Sequence, residues 1–170
     1  MADQTGTLLD PDALTVVWAR RFAGYKRADL ILRHFERFQQ LVSNPDRPVQ
    51  VIWAGKPYPK DYGAIGLFND IIQKTKHLKT CAVLTGYELG LSAALKKGSD
   101  IWLNTPRFPR EASGTSGMTA AMNGCVSLSI PDGWIPEFTR HGENSFLLPL
   151  ANLHEADNVK DDIEAKGVPD

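Results

Sequence analysis

Apolar positions along the chain fall into two alternating patterns. Short, continuous apolar runs, several rich in β-branched residues, occur at 14–19 (LTVVWA), 49–54 (VQVIWA), 81–84 (CAVL), 100–103 (DIWL) and 125–130 (CVSLSI). Runs of this length predict strands buried on both faces. Between them the apolar residues recur three and four apart. Leu30, Ile31, His34, Phe35, Phe38, Leu41 and Val42 predict a helix over 28–42, and Ile65, Phe68, Ile71 and Ile72 predict another over 63–76. Shorter helices are expected over 87–97 and 116–123.

Buried strands alternating with amphipathic helices define an α/β class: a doubly wound, mainly parallel sheet with helices on both faces, three-layer and Rossmann-like. Ligands of such sheets bind at the carboxyl ends of the strands, in the loops leading into helices. Chemistry is therefore sought in those loops. From Asn152 the chain turns polar, with no further strand and only a weak helical pattern. Residues 1–150 accordingly read as one domain and 151–170 as a connector or truncated tail.

Composition narrows the partners. Nineteen basic residues against twenty acidic ones leave a net charge of −1, so the overall balance favours no nucleic acid, and any anion must be held locally. Cys81 and Cys125 each lie in an apolar run and read as reduced core thiols of a cytoplasmic protein. His34, His77, His141 and His154 are scattered without ligand-like spacing, so no metal site is expected. No apolar run approaches the ~20 residues that span a bilayer, and the opening MADQTGTLLDPDAL has no leader pattern, so no membrane role is expected.

Three loops at strand ends stand out. The first, ARRFAGYKR, places Arg20, Arg21, Lys26 and Arg27 within eight positions. Such a loop either clamps a phosphate or is a solvated basic stretch. The second, AGKPYPK, contains a Gly-Lys pair without the spacing of a P-loop and reads as a proline-stiffened turn. The third runs from Asn104 to Gly124 (NTPRFPREASGTSGMTAAMNG). Its small and hydroxyl residues enter a helix, giving either an anion site or a start capped by Ser113 or Thr115. A cap leaves Glu111 unexplained, and a carboxylate there suits sugar hydroxyls. Trp18, Trp53 and Trp102 read as core or cleft-wall aromatics, whereas Trp134, in the turn after the last predicted strand, stands on the ligand side with Glu137, Glu143 and Asn144.

EASGTSGM and AAMNG, preceded by DIWLNTPRFPR and far upstream by RRFAGYKR, closely resemble the bacterial α-glucan phosphorylases, from about Thr7 to about Leu148. The resemblance implies the C-terminal Rossmann-like domain of a two-domain glycosyltransferase. Such an enzyme passes a terminal α-1,4-linked glucose of an α-glucan to phosphate, giving glucose 1-phosphate. It also implies a partner N-terminal domain of the same chain, without which the isolated domain is expected to be inactive. By position, Arg21 and Lys26 would hold the reacting phosphate and Arg20 the cofactor phosphate. Glu111, Ser113 and Gly114 would take the glucose hydroxyls. The backbone of Gly114, Thr115 and Ser116 would cradle pyridoxal phosphate.

The sequence departs from that pattern at Thr119, which stands where the family has its Schiff-base lysine. A threonine hydroxyl forms no imine, so covalent pyridoxal phosphate is excluded there, leaving a noncovalent phosphate or a nucleotide sugar. Retaining nucleotide-sugar transferases of the glycogen-synthase kind share the fold and use an Arg and a Lys five positions apart, as Arg21 and Lys26 are. Many also carry a carboxylate pair, of which Glu111 supplies the first and Thr119 replaces the second. An ADP- or UDP-glucose transferase and a non-catalytic glucan-binding module are thus the alternatives.

Overall fold

The computed structural model describes residues 5, 6 and 8–168; Thr7, where the resemblance begins, and the outermost residues of the lead-in and tail lie outside it. Six strands form one all-parallel sheet: β1 (Leu14–Ala19), β2 (Val49–Ala54), β3 (Cys81–Leu84), β4 (Ile101–Asn104), β5 (Val126–Ser129) and β6 (Ser145–Leu147). Their order is β3-β2-β1-β4-β5-β6, the Rossmann order, whose direction of winding reverses between β1 and β4. β1 and β2 are matched along their full length, with Trp18 beside Trp53.

Strand side chains alternate between two cores. Trp18, Val51, Trp53, Leu103 and Leu128 pack on one face with Phe38 and Val42 of α1 (Phe35–Val42), Ile71 of α2 (Tyr62–Thr75) and Ala165 of α6 (Asp157–Lys166). Val17, Ala19, Ile52, Leu84 and Trp102 pack on the other with Leu95 of α3 (Leu89–Gly98) and Ala120 of α4 (Thr115–Ala121). The short α5 (Ile135–Phe138) follows β5. This covering of both faces is why the strands read as unbroken apolar runs. Cys81 and Cys125 are free and buried, and burial pushes the Cys81 thiol up to about 12.

Three expectations change. The helix expected over 28–42 is a 3-10 turn at Leu30–Leu32 followed by the shorter α1. Leu30 and Leu32 are both buried, and an α-helix would turn residues two apart about 200° from each other. A sixth strand, β6, follows the five expected; it is three residues long and closely followed by Pro149, too short for a period to emerge. The segment read as a weakly helical connector contains α6, with Glu164 and Ala165 buried. Its moderate periodicity hid the ion pairs that dock it, Arg27–Asp161 at 2.9 Å and Arg27–Glu164 at 2.6 Å.

Candidate functional site

The loop after β1 and the loop after β4 meet at the carboxyl ends of the two strands that flank the switch point. They are zipped together by backbone and side chain. The Arg107 amide donates to the Tyr25 carbonyl at 2.7 Å, and the buried Thr105 hydroxyl lies 3.1 Å from the Lys26 carbonyl and 2.9 Å from that of Arg27. Arg27 sits in the left-handed region at φ 45°, a conformation costing on the order of 1 kcal/mol for a side-chain-bearing residue. Its guanidinium offsets this by donating from Nε to the Thr105 carbonyl (3.0 Å) and from Nη2 to the Pro106 carbonyl (2.8 Å).

This zipper brings Arg20, Lys26 and Glu111 together. Arg20 Nη1 donates to Glu111 Oε2 at 3.3 Å, and Lys26 Nζ lies 3.3 Å from both carboxylate oxygens. All three side chains are largely shielded, at 5%, 11% and 12% exposure. Burial lowers the Arg20 guanidinium below its ordinary value, and Glu111 opposes that shift. Two cations thus share one carboxylate in a place where water screens them poorly.

The carboxylate end of the cluster is held by the turn after β5. Asp132 accepts hydrogen bonds from the Glu111 amide and the Gly133 amide, both at 2.9 Å. The Trp134 amide donates to the Ser113 carbonyl at 3.0 Å. Gly133, at φ 63°, passes so near that carbonyl that a Cβ would collide with it. A Cβ on Gly117 would lie 2.8 Å from Asn104 Nδ2 and 3.2 Å from Trp134 Nε1, so glycine there lets the amide and indole close over the start of α4.

Several buried polar atoms around this junction have no partner: Arg20 Nε, Asn104 Oδ1 and Trp134 Nε1. Unpaired groups of this kind cost free energy unless a ligand or solvent satisfies them. The two donors, Arg20 Nε and Trp134 Nε1, fit the oxygens of an anion, whereas Asn104 Oδ1, an acceptor, fits a hydroxyl. The surroundings do not supply an imine-forming amine at residue 119: Thr119 is exposed, and its hydroxyl lies 3.1 Å from both the Thr115 and Ser116 carbonyls of its own helix.

The other residues named from sequence are placed as follows. Arg21 is exposed, and its side chain pairs with no described residue. Ser113 and Thr115 are exposed, while Gly114 and Ser116 are half-buried. Neither Ser113 nor Thr115 caps α4. The N-cap is Gly114, at φ 97°, without a side-chain cap, since that left-handed geometry suits glycine. Asn104, Thr105 and Asp132 were not singled out from sequence. Their signal was a polar residue at or just beyond the carboxyl end of an apolar strand. A cavity of about 580 Å³ lies elsewhere, on the α1 and α6 side near the strand starts, lined by Leu14, Val16, Phe38, Val49 and Leu128; it lacks the site's cations.

Fold order and site geometry define a class first: a Rossmann-ordered domain with a cation–carboxylate cluster at its switch point, where proteins of this fold bind their ligands. Residues 1–164 match the family model described as carbohydrate phosphorylase, and the chain belongs to that family. It is 49% identical over 163 residues to an uncharacterized protein of Methanocaldococcus jannaschii, covering 95% of this chain and 30% of that protein. It is 45% identical over 163 residues to the glycogen phosphorylase of Aquifex aeolicus (94% and 23%) and 41% identical over 159 residues to the maltodextrin phosphorylase of Thermococcus litoralis (90% and 19%). The chain thus spans under a third of the length of these curated relatives.

Proposed function

We propose that this chain is the phosphate-facing domain of an α-glucan phosphorylase-type glycosyltransferase. The whole enzyme passes a terminal α-1,4-linked glucosyl unit to inorganic phosphate, giving glucose 1-phosphate. One observation carries the reading: Arg20 and Lys26 converge on Glu111, each 3.3 Å away, at the strand ends where this fold binds ligands. Arg20 and Lys26 supply charge to a phosphate, with Arg21 reaching it from the exposed side. Glu111, acceptor-only when ionised, receives sugar hydroxyls. The amides of Gly114, Thr115 and Ser116 and the hydroxyl of Ser113 complete the polar lining.

In this reading Thr119 occupies the place of the family's cofactor lysine, so pyridoxal phosphate, if it enters, is held through its phosphate alone. A partner domain of the same longer chain supplies the rest of the glucan site, and the isolated domain does not turn over. The two free, buried cysteines support a cytoplasmic setting.

Calorimetric titration of the chain with inorganic phosphate, UDP-glucose, ADP-glucose and maltodextrin tests the proposal. Phosphate is expected to bind, and Lys26→Ala to weaken it by about tenfold, the loss of one charged hydrogen bond. Tight binding of a nucleotide sugar with no response to phosphate would overturn the reading in favour of a synthase-like transferase. Retention of maltodextrin alone would leave a glucan-binding module.

A further inference from the structure

Asp161 belongs to α6, in a segment whose sequence shows only a weak helical pattern, yet it touches both loops that form the site. Its Oδ1 accepts from Arg27 Nη1 at 2.9 Å and lies 3.0 Å from Arg107 Nη2, which also donates to Oδ2 at 3.1 Å. Arg27 is the chain neighbour of Lys26, and Arg107 lies four residues before Glu111. One carboxylate therefore takes an arginine from the loop after β1 and another from the loop after β4. Of these two arginines, Glu164 pairs with Arg27 alone and Asp157 with Arg107 alone. Among the described residues, Asp161 alone pairs with both.

Such a contact has a consequence for the ligand. Lys26 and Glu111 sit on different loops, and their mutual distance depends on how those loops are held. The loops are also linked directly, by the Arg107 amide to the Tyr25 carbonyl, by the Thr105 hydroxyl to the backbone of residues 26 and 27, and by the Arg27 guanidinium to the Thr105 and Pro106 carbonyls. Asp161 adds a link between the two arginine side chains themselves, joining both guanidinium groups, whose planar geometry resists rotation, to one carboxylate. We propose that Asp161 is a positioning residue of the anion site. By gripping Arg27 and Arg107 together it fixes the separation of Lys26 from Glu111 without touching the ligand. The proposal rests on the reading of that site as a phosphate site.

The sign of the effect separates positioning from plain electrostatics. Deleting a carboxylate near a cationic site by itself tightens anion binding. Loss of positioning weakens it. The test compares Asp161→Ala with Asp162→Ala, which removes the same charge one residue along from an exposed pair with Arg33 at 2.7 Å. In ligand-free chain, hydrogen exchange at the Arg107 amide is expected to quicken about tenfold in Asp161→Ala and to stay unchanged in Asp162→Ala. In phosphate titration, Asp161→Ala is expected to weaken affinity roughly three- to tenfold, and Asp162→Ala to leave it unchanged or slightly tighter.

Unchanged exchange in a folded Asp161→Ala chain overturns the proposal, as does phosphate binding that is unchanged or tighter in that variant. Quickened exchange in a chain whose native form takes up no phosphate keeps the clamp and removes the reading of the site. If the alanine variant fails to fold, Asp161→Asn retains the side-chain shape while losing the charge and is judged by the same two readouts.

Discussion

Lys26 and Arg27 are adjacent and both buried, but their surroundings differ in kind. Lys26 and Arg20 approach Glu111 at 3.3 Å, long for charge-assisted hydrogen bonds, and Arg20 Nε, Asn104 Oδ1 and Trp134 Nε1 nearby have no partner. Arg27 donates from Nε, Nη1 and Nη2 to acceptors 2.8 to 3.0 Å away and pairs in addition with the Glu164 carboxylate. One cluster is held by longer contacts and leaves two donors, Arg20 Nε and Trp134 Nε1, in reserve; the other is held by shorter ones and engages every nitrogen of its arginine. A ligand site needs the first arrangement and a structural clamp the second. In the proposed reading the charge of ARRFAGYKR is divided: Arg20 and Lys26 to the shielded part of the anion site, Arg21 to its exposed side, Arg27 to the clamp.

The largest expected effect breaks the clamp. Arg27→Ala leaves the carboxylates of Asp161 and Glu164, 18% and 4% exposed, without their shared cation. Removing one partner of a buried pair costs about 3–5 kcal/mol, to be read from denaturant unfolding. Lys26→Ala is expected to cost only about 1 kcal/mol, because Glu111 keeps Arg20. Equal losses in the two variants would erase the distinction between the clusters.

A smaller effect sharpens the slack side. Glu111→Gln preserves shape but leaves Arg20 and Lys26 facing a neutral amide. A stability loss of about 1–3 kcal/mol follows from that lost charge-assisted contact. Inorganic phosphate, which competes with Glu111 for the same cations, is expected to bind a few-fold more tightly, as calorimetry would show. Weaker phosphate binding in a folded Glu111→Gln chain would mean that the carboxylate organises the cations rather than competing for them.

The same contrast explains what was legible in the sequence. Strands buried on both faces announce themselves, and β1, β2 and β3 fall where their apolar runs lie. β6 is three residues long and polar at its start, so its place comes from pairing with β5 rather than from pattern. The α6 helix gains its place from ion pairs to residues more than 120 positions away, a separation no local window registers. Within the site, EASGTSGM drew notice to Glu111 and its neighbours, and the basic loop to Arg20 and Lys26. Charge along a loop did not tell which cation turns inward. Nor did it reveal Asp132, which fixes Glu111 through a backbone amide and so depends on the fold rather than on spacing.

Arg21 offers the smallest change in stability and the finest test of the site. It is exposed, with no side-chain partner among the described residues, so Arg21→Ala is expected to stay within about 0.5 kcal/mol of the native chain in unfolding experiments. Its effect on phosphate should nonetheless be measurable. A solvent-facing cation a few ångströms from a bound anion contributes about 1 kcal/mol, roughly a fivefold loss of affinity on removal. Because water and ions reach that side chain, the loss should shrink as salt is raised from about 0.05 M to 0.5 M, whereas the loss in Lys26→Ala, shielded beside Glu111, should persist. An Arg21→Ala chain that binds phosphate as the native chain does at low salt would confine the anion to Arg20 and Lys26. Arg21 would then belong with the solvated cations of the surface, and the division of the loop would fall between buried and exposed residues alone.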